Sequence, residues 1–263
     1  MDLGIRGRRA LVGGGSAGLG RAVAERLASE GCSVVIWART EARLEATAAD
    51  LRARHGGQVG TIVADARDPD AAAAVASRAL ELLGGVDILV LNAGGPPPVE
   101  PTATDSAEWA SAFQLLATTP IDLATRLLSP MREAGWGRIV AILSYAIRQP
   151  IANLSYSNAG RSALTAWLKT VSRSVAADGV TVNGVMPGRF DTARIRQLDE
   201  DAARRTGSTP EAVKAAQIAG IPTGRYGDPD EFAALVTYLC SEPARYQTGT
   251  FTAVDGGLLL GLP

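Results

Sequence analysis

Hydrophobic residues follow two alternating rhythms along the chain. Short, nearly continuous apolar runs stand at ALVG (10–13), SVVIWA (33–38), QVGTIVA (58–64), VDILVLNA (86–93), GRIVAIL (137–143), VTVNGVM (180–186) and TFTAV (250–254). Between them lie longer Ala- and Leu-rich stretches with apolar positions at helical spacing, near 18–30, 40–54, 69–83, 105–133, 157–177 and 229–240. Strands buried on both faces read as continuous apolar runs, the pattern of a parallel sheet covered by helices. Strand and helix in alternation, with no linker, predict one α/β domain. Its expected form is a Rossmann-type, doubly wound parallel sheet of about seven strands flanked by helices.

Residues 191–227 break the rhythm, with helical pieces and no strand. Within them TGSTPE supplies a turn, a Ser/Thr cap and a proline near the start of the next helix. A helical insertion after a sheet strand is expected to form a substrate lid over a site at the strand ends. The alternative is a helical hairpin that only packs.

The first strand runs into GGGSAGLGRAVAERLASEG. Two glycine patterns overlap there. Gly13, Gly15 and Gly18 fit G-x-G-x-x-G, while Gly14, Gly18 and Gly20 fit G-x-x-x-G-x-G. In either register the glycines permit a tight turn and a close backbone approach to a pyrophosphate. The helix that follows offers free N–H groups and the positive end of its dipole. The second strand ends Trp37, Ala38, Arg39, Thr40, without the acid that would hold a ribose 2′-hydroxyl. A carboxylate would repel a 2′-phosphate, whereas a guanidinium pairs with it as a fork. Arg39 therefore predicts NADP(H) over NAD(H); the alternative is a cation that only ends a strand.

Composition narrows the field further. The chain has 263 residues and a net charge of -1, long enough for a large core without staples. Its basic residues are scattered, which argues against nucleic acid and anionic membranes as partners. Cys32, Cys240 and the single His55 give no disulfide framework and no metal-ligand spacing, so no metal site is expected. No apolar run is long enough to span a membrane and the first residues lack a signal-peptide layout, so a cytoplasmic protein is expected.

With these pieces in place the chain resembles the short-chain dehydrogenase/reductase family, and within it the 3-oxoacyl-acyl carrier protein reductase-like members. Gly14, Gly18 and Gly20 match T-G-x-x-x-G-x-G, with Gly13 in place of Thr. Asp65 matches the acid that contacts adenine, and Leu91-Asn92-Ala93-Gly94 matches N-N-A-G. Ser144 stands at the position of the catalytic serine, and Pro187, Gly188 and Thr192 match the motif at the nicotinamide end. IPTGRYGDPDEFA and TGTFTAVDGG match the C-terminal landmarks. Ser16 and Leu19 in the loop and Ala66 beside Asp65 complete the cofactor-binding set that the resemblance implies. It also implies hydride transfer between nicotinamide and a carbonyl carbon. A tyrosine would handle the proton, a lysine would lower its pKa and hold the ribose, a serine would grip the oxygen, and an asparagine would support a water relay.

The chain departs from this pattern where the chemistry lies. Y-S-A-S-K-A-A-L superposes without a gap on residues 157–164, so Ser157 replaces the tyrosine and Arg161 the lysine. Ser157 follows Ser144 by 13 residues, the usual family spacing. The same register puts Leu116 at the relay asparagine. Ser157 and Arg161, four apart on a helix, share a face. Tyr156 is rotated off that face if helical, but at a non-helical helix start a local shift would bring its phenol into the site. Tyr145, beside Ser144, is another candidate proton donor. An alcohol is a poor acid near pH 7, and arginine exchanges no protons but can hold a ribose or stabilise an oxyanion. Two kinds of function stay open. One is an NADP(H)-dependent oxidoreductase with a rebuilt proton-donor site, its candidate catalytic residues Ser144, Tyr156, Ser157 and Arg161. The other is a non-redox or catalytically inactive protein on the same fold. A small-molecule carbonyl or alcohol is the expected substrate. A homodimer or homotetramer is expected through helices 105–133 and 157–177, with the apolar tail 256–263 at the interface.

Overall fold

The computed structural model describes residues 1–102 and 104–261. Seven strands form one sheet: β1 (Arg9–Gly13), β2 (Ser33–Ala38), β3 (Val59–Val63), β4 (Ile88–Leu91), β5 (Gly137–Ile142), β6 (Val180–Pro187) and β7 (Phe251–Val254). They are all parallel, in the order β3-β2-β1-β4-β5-β6-β7. The expected seven-stranded, doubly wound sheet is what forms. Residues that alternate along each strand feed two apolar layers. Leu11, Leu89, Ile139 and Val182 pack toward helices α3 (Ala71–Leu83), α5 (Thr119–Glu133) and α6 (Ser155–Val175). Val12, Val90 and Val140 face α1 (Gly18–Ser29), α2 (Glu41–His55) and α9 (Pro229–Leu239). Because both faces are covered, the strands carry no polar alternation.

The chain winds from β1 outward to β3, then returns to the other side of β1 at β4. That reversal opens a crevice at the C-terminal ends of β1 and β4, the place where open α/β sheets bind ligands. Asn92, just past β4, bridges the crevice floor by donating from Nδ2 to the Gly13 carbonyl at 3.0 Å.

The expected helix over 105–133 has a defect. Its first part is α4 (Ser106–Phe113) and its last is α5, joined by a π-helical turn at Gln114–Thr118. Pro120 has no N–H to give to the Leu116 carbonyl, and the Thr119 N–H reaches back to Gln114 instead.

Residues 191–227 hold α7 (Ala193–Thr206) and α8 (Pro210–Ala219). Thr192 caps α7 and Thr209 caps α8, with Pro210 at the first helical position. The two ends of the segment are pinned together, with Asp191 N–H donating to the Gly227 carbonyl and Gly227 N–H to the Arg189 carbonyl, both at 2.9 Å. Among the described residues no helix is long and apolar enough to cross a membrane. Of the apolar tail, Leu262 and Pro263 lie outside the described residues.

Candidate active site

A long cleft of ≈ 640 Å³ runs along the C-terminal edge of the sheet, roofed on one side by α7. Every residue expected at the cofactor lines it except Gly20, which forms the floor of the loop beneath. A Cβ at Gly20 would stand 2.4 Å from the Gly14 carbonyl oxygen, so only glycine allows α1 to start this close to β1. Gly14 and Gly18 have φ of 58° and 56°, the left-handed region. The residue before α1 is Ala17, and no side chain caps the helix; its first turn carries no acid. Its N–H groups and positive dipole end are thus left open to the cleft.

These features fit a dinucleotide. The Trp37 indole N–H adds to the fit, since it is buried, lines the cleft and has no partner among the described residues. Sequence reasoning passed over Trp37 because in its strand it reads as one more apolar residue. Arg39 reaches out from the end of β2 with its side chain 61 % exposed, and its contact with Asp65 is a loose 3.9 Å. Arg43 lines the same end of the cleft, one helical turn past Arg39 at the start of α2. Thr40, which precedes α2, makes no side-chain cap, so its hydroxyl is free. Arg43 was also not foreseen. Asp65 accepts from Arg67 N–H at 3.0 Å, and the Ala66 carbonyl accepts from Thr119 at 2.8 Å. Pro187, Gly188 and Thr192 line the opposite wall, where Thr192 spends its hydroxyl on capping α7.

At the other end of the cleft stand Ser144, Tyr145, Ser157 and Arg161. Ser144 follows β5 and caps a short turn, its Oγ accepting from Ala146 N–H at 3.1 Å. Ser157 and Arg161 lie on one face of α6, with Arg161 Nε 3.4 Å from Ser157 Oγ. The guanidinium also donates to the Ile142 carbonyl at 2.7 Å and to the Ala93 carbonyl at 3.5 Å. No carboxylate lies within ion-pair distance of it among the described residues. Burial, with Arg194 nearby, pulls the Arg161 guanidinium down to about 10, so it keeps its charge at neutral pH.

Tyr156 is the correction. α6 already begins at Ser155, so Tyr156 is helical and the shift needed to carry its phenol into the site does not occur. It is 3 % exposed, lies edge-on to Trp109 with ring centroids 4.6 Å apart, and its hydroxyl accepts from Asp105 N–H at 3.1 Å. It ties α6 to α4 and lies outside the residues that line the cleft. Tyr145 is the tyrosine that does line it. Burial pushes its phenol above the ordinary value, opposed by the positive charge of Arg189. Arg189 is itself held by Asp199 of α7 at 3.0 Å, and Tyr226 donates to the same carboxylate at 2.8 Å.

The expected relay position is closed to water. Leu116 sits in the π turn, buried, and packs on Gly160 of α6 so tightly that a Cβ at Gly160 would lie 2.9 Å from the Leu116 Cβ. The apolar side chain offers no hydrogen bond for a buried proton path.

Residues 14–259 match the family model described as Enoyl-(Acyl carrier protein) reductase. The chain is a short-chain dehydrogenase/reductase. This short-chain dehydrogenase/reductase is 29% identical over 259 residues to a 3-oxoacyl-acyl-carrier-protein reductase of Aquifex aeolicus, covering 98% of this chain and 100% of that one. It is 30% identical over 251 residues to the NADPH-dependent reductase BacG of Bacillus subtilis, covering 95% and 97%. Among solved structures, L-sorbose reductase of Gluconobacter frateurii, complexed with NADPH and L-sorbose, superposes with a TM-score of 0.94 at 32% identity, covering 100% of both chains.

Proposed function

We propose that this short-chain dehydrogenase/reductase interconverts a carbonyl and an alcohol with NADP(H), using a proton-donor site rebuilt around Ser144, Tyr145, Ser157 and Arg161. The observation that carries the reading is the arrangement of Ser144, Ser157 and Arg161. Two hydroxyls and a buried cation meet at one end of a cleft whose other end has the build of a dinucleotide site. Nicotinamide, when bound, supplies or accepts the hydride. Ser144 and Ser157 grip the carbonyl oxygen by hydrogen bonds. Arg161 stabilises the negative charge that develops there, in a partly dry site where such a charge is worth most. Arg161 also stands in the register of the lysine that holds the cofactor ribose. Tyr145 gives the proton; burial makes its phenol a weaker acid, and the positive charge of Arg189 opposes that. With Leu116 where a relay would lie, reprotonation proceeds from the cleft mouth.

NADP(H) preference rests on Arg39, with Arg43 and the Thr40 hydroxyl beside it. The NADPH-bound state of the L-sorbose reductase and the NADPH dependence of BacG support it. The α7–α8 segment acts as a substrate lid, supported by the cleft-lining face of α7. A homodimer or homotetramer belongs to the same reading, and sedimentation velocity tests it.

The deciding experiment has two steps. NADPH and NADH are titrated separately into the purified protein, followed by tryptophan fluorescence. A ketone panel is then supplied with NADPH while nicotinamide absorbance is followed. Tight NADPH binding with ketone-dependent oxidation is expected. Tight binding with substrate turnover but no change in absorbance would overturn the redox reading in favour of non-redox chemistry on this fold.

A further inference from the structure

The α7 face over the cleft repeats at helical spacing: Arg194, Ile195, Leu198, Asp201, Ala202 and Arg205 all line it. Arg194 is partly buried and reaches across the cleft mouth, donating from Nη2 to the Pro96 carbonyl at 2.7 Å; its other side-chain contact is a long 3.5 Å to Gln197. Its guanidinium atoms stand 3.4–3.9 Å from where a Cβ on Gly95 would be. That fixes Arg194 at the loop after β4, while Thr192, two residues earlier, lies against Gly18 of the glycine loop. No carboxylate pairs with Arg194 within ion-pair distance among the described residues. The one acid on this face, Asp201, is engaged by Arg204.

Two guanidiniums thus line the same cleft with carbonyls, a hydroxyl and an amide as their hydrogen-bond partners, and for Arg194 the charge of Asp201 is felt only from beyond ion-pair distance. Both line the cleft, and the positive charge of Arg194 is felt at Arg161. Buried like charges without a counter-ion are costly. A fork that still has free donors, aimed at a substrate space, matches a carboxylate or phosphate.

We propose that the substrate is a carbonyl compound bearing an anionic group, a carboxylate or a phosphate, which Arg194 binds while Arg161 serves the reacting oxygen. This deepens, and rests on, the reading of the cleft as a carbonyl-reducing site. The rival is that Arg194 serves the cofactor's pyrophosphate.

Two matched pairs of probes separate these: acetoacetate against methyl acetoacetate, and dihydroxyacetone phosphate against dihydroxyacetone. Each is titrated calorimetrically into the protein saturated with NADP⁺, then assayed for kcat/KM with NADPH, in wild type and Arg194→Gln. At least one anion is expected to bind ten-fold or more tighter than its neutral partner. That ratio should collapse toward one in Arg194→Gln, while the Kd for NADPH stays within about two-fold. The acetoacetate arm identifies a carboxylate site and the dihydroxyacetone phosphate arm a phosphate site. Equal binding of anion and neutral partner in wild type overturns the proposal. So does a variant that loses NADPH affinity and keeps the anion preference. Arg194-dependent anion binding without any NADPH oxidation would uphold the anion site and sink the redox reading instead. Arg194→Lys keeps the charge without the fork and serves as the folded control; partial recovery of the ratio is expected.

Discussion

At the glycine-loop end of the cleft, an uncapped helix, a floor that admits no side chain and an exposed guanidinium beside β2 await a large anion. At the other end, two serines, an arginine held by carbonyls and a single cleft-lining tyrosine stand where the family pattern has tyrosine, lysine and an asparagine relay. The first end follows from backbone geometry, which few residue choices can supply. The second depends on side-chain chemistry, where a hydroxyl and a cation can be delivered by different residues. A fold can therefore keep its cofactor architecture while its proton chemistry is reworked.

The sharpest way to break this contrast is Arg161→Met. Loss of the oxyanion partner is expected to lower kcat/KM by roughly 10²–10³. The variant removes a buried cation without a counter-ion but also its hydrogen bonds to the Ile142 and Ala93 carbonyls, so its thermal midpoint should change little. A large loss of activity with an intact fold would place the chemistry on Arg161; near-full activity would move it elsewhere. Next in size, Ser144→Ala should cut kcat by about 10² and leave NADPH titration near wild type. Arg39→Asp probes the opposite end. Losing one charge-assisted pair, worth about 1.5–3 kcal/mol, should weaken NADPH binding by roughly ten- to a hundred-fold, relieve the bias against NADH and hardly change kcat. Unaltered NADPH affinity would leave the 2′-phosphate reading without its main residue.

A pH profile sharpens the second end. The Arg161 guanidinium is drawn down to about 10, so the charged form prevails at neutral pH and is lost as pH rises through that value. Reduction should be level through neutrality and fall at high pH as the Arg161 charge and the Tyr145 proton are lost, and Tyr145→Phe should lower the plateau and remove the phenol's share of the fall. A plateau that survives Tyr145→Phe at full height would make water the proton source. The smallest effect belongs to Tyr156→Phe. Deleting a hydroxyl that accepts one backbone N–H should cost about 1 kcal/mol of stability, read by chemical denaturation, and leave turnover almost unchanged.

Much of this was legible in the sequence, and unevenly. The apolar runs placed all seven strands to within a residue or two, because burial on both faces leaves a continuous signature. The i,i+4 spacing of Ser157 and Arg161 put both on one face, as the structure has them. Tyr156 defeated the reading because the first residue of α6 decides its direction, and helix starts are weakly encoded. Trp37 and Arg43 were missed for a related reason: their roles come from where the sheet edge and α2 meet, a tertiary fact that no local pattern carries. The π turn was not foreseen, since the helical spacing over 105–133 runs through it and only the missing N–H of Pro120 explains it afterwards.

The contact between Leu116 and Gly160 has a consequence in the history of such a site. The family pattern carries serine at position 160 and asparagine at 116. Here glycine stands at 160 and leucine at 116, and the leucine packs directly against the glycine. A change back at 160 alone would drive a new Cβ into Leu116, while a change at 116 alone would open a polar gap against a bare backbone. Because the nearest clash is with the Cβ of residue 116, which asparagine also carries, position 160 accepts a side chain only if α6 and the π turn move apart.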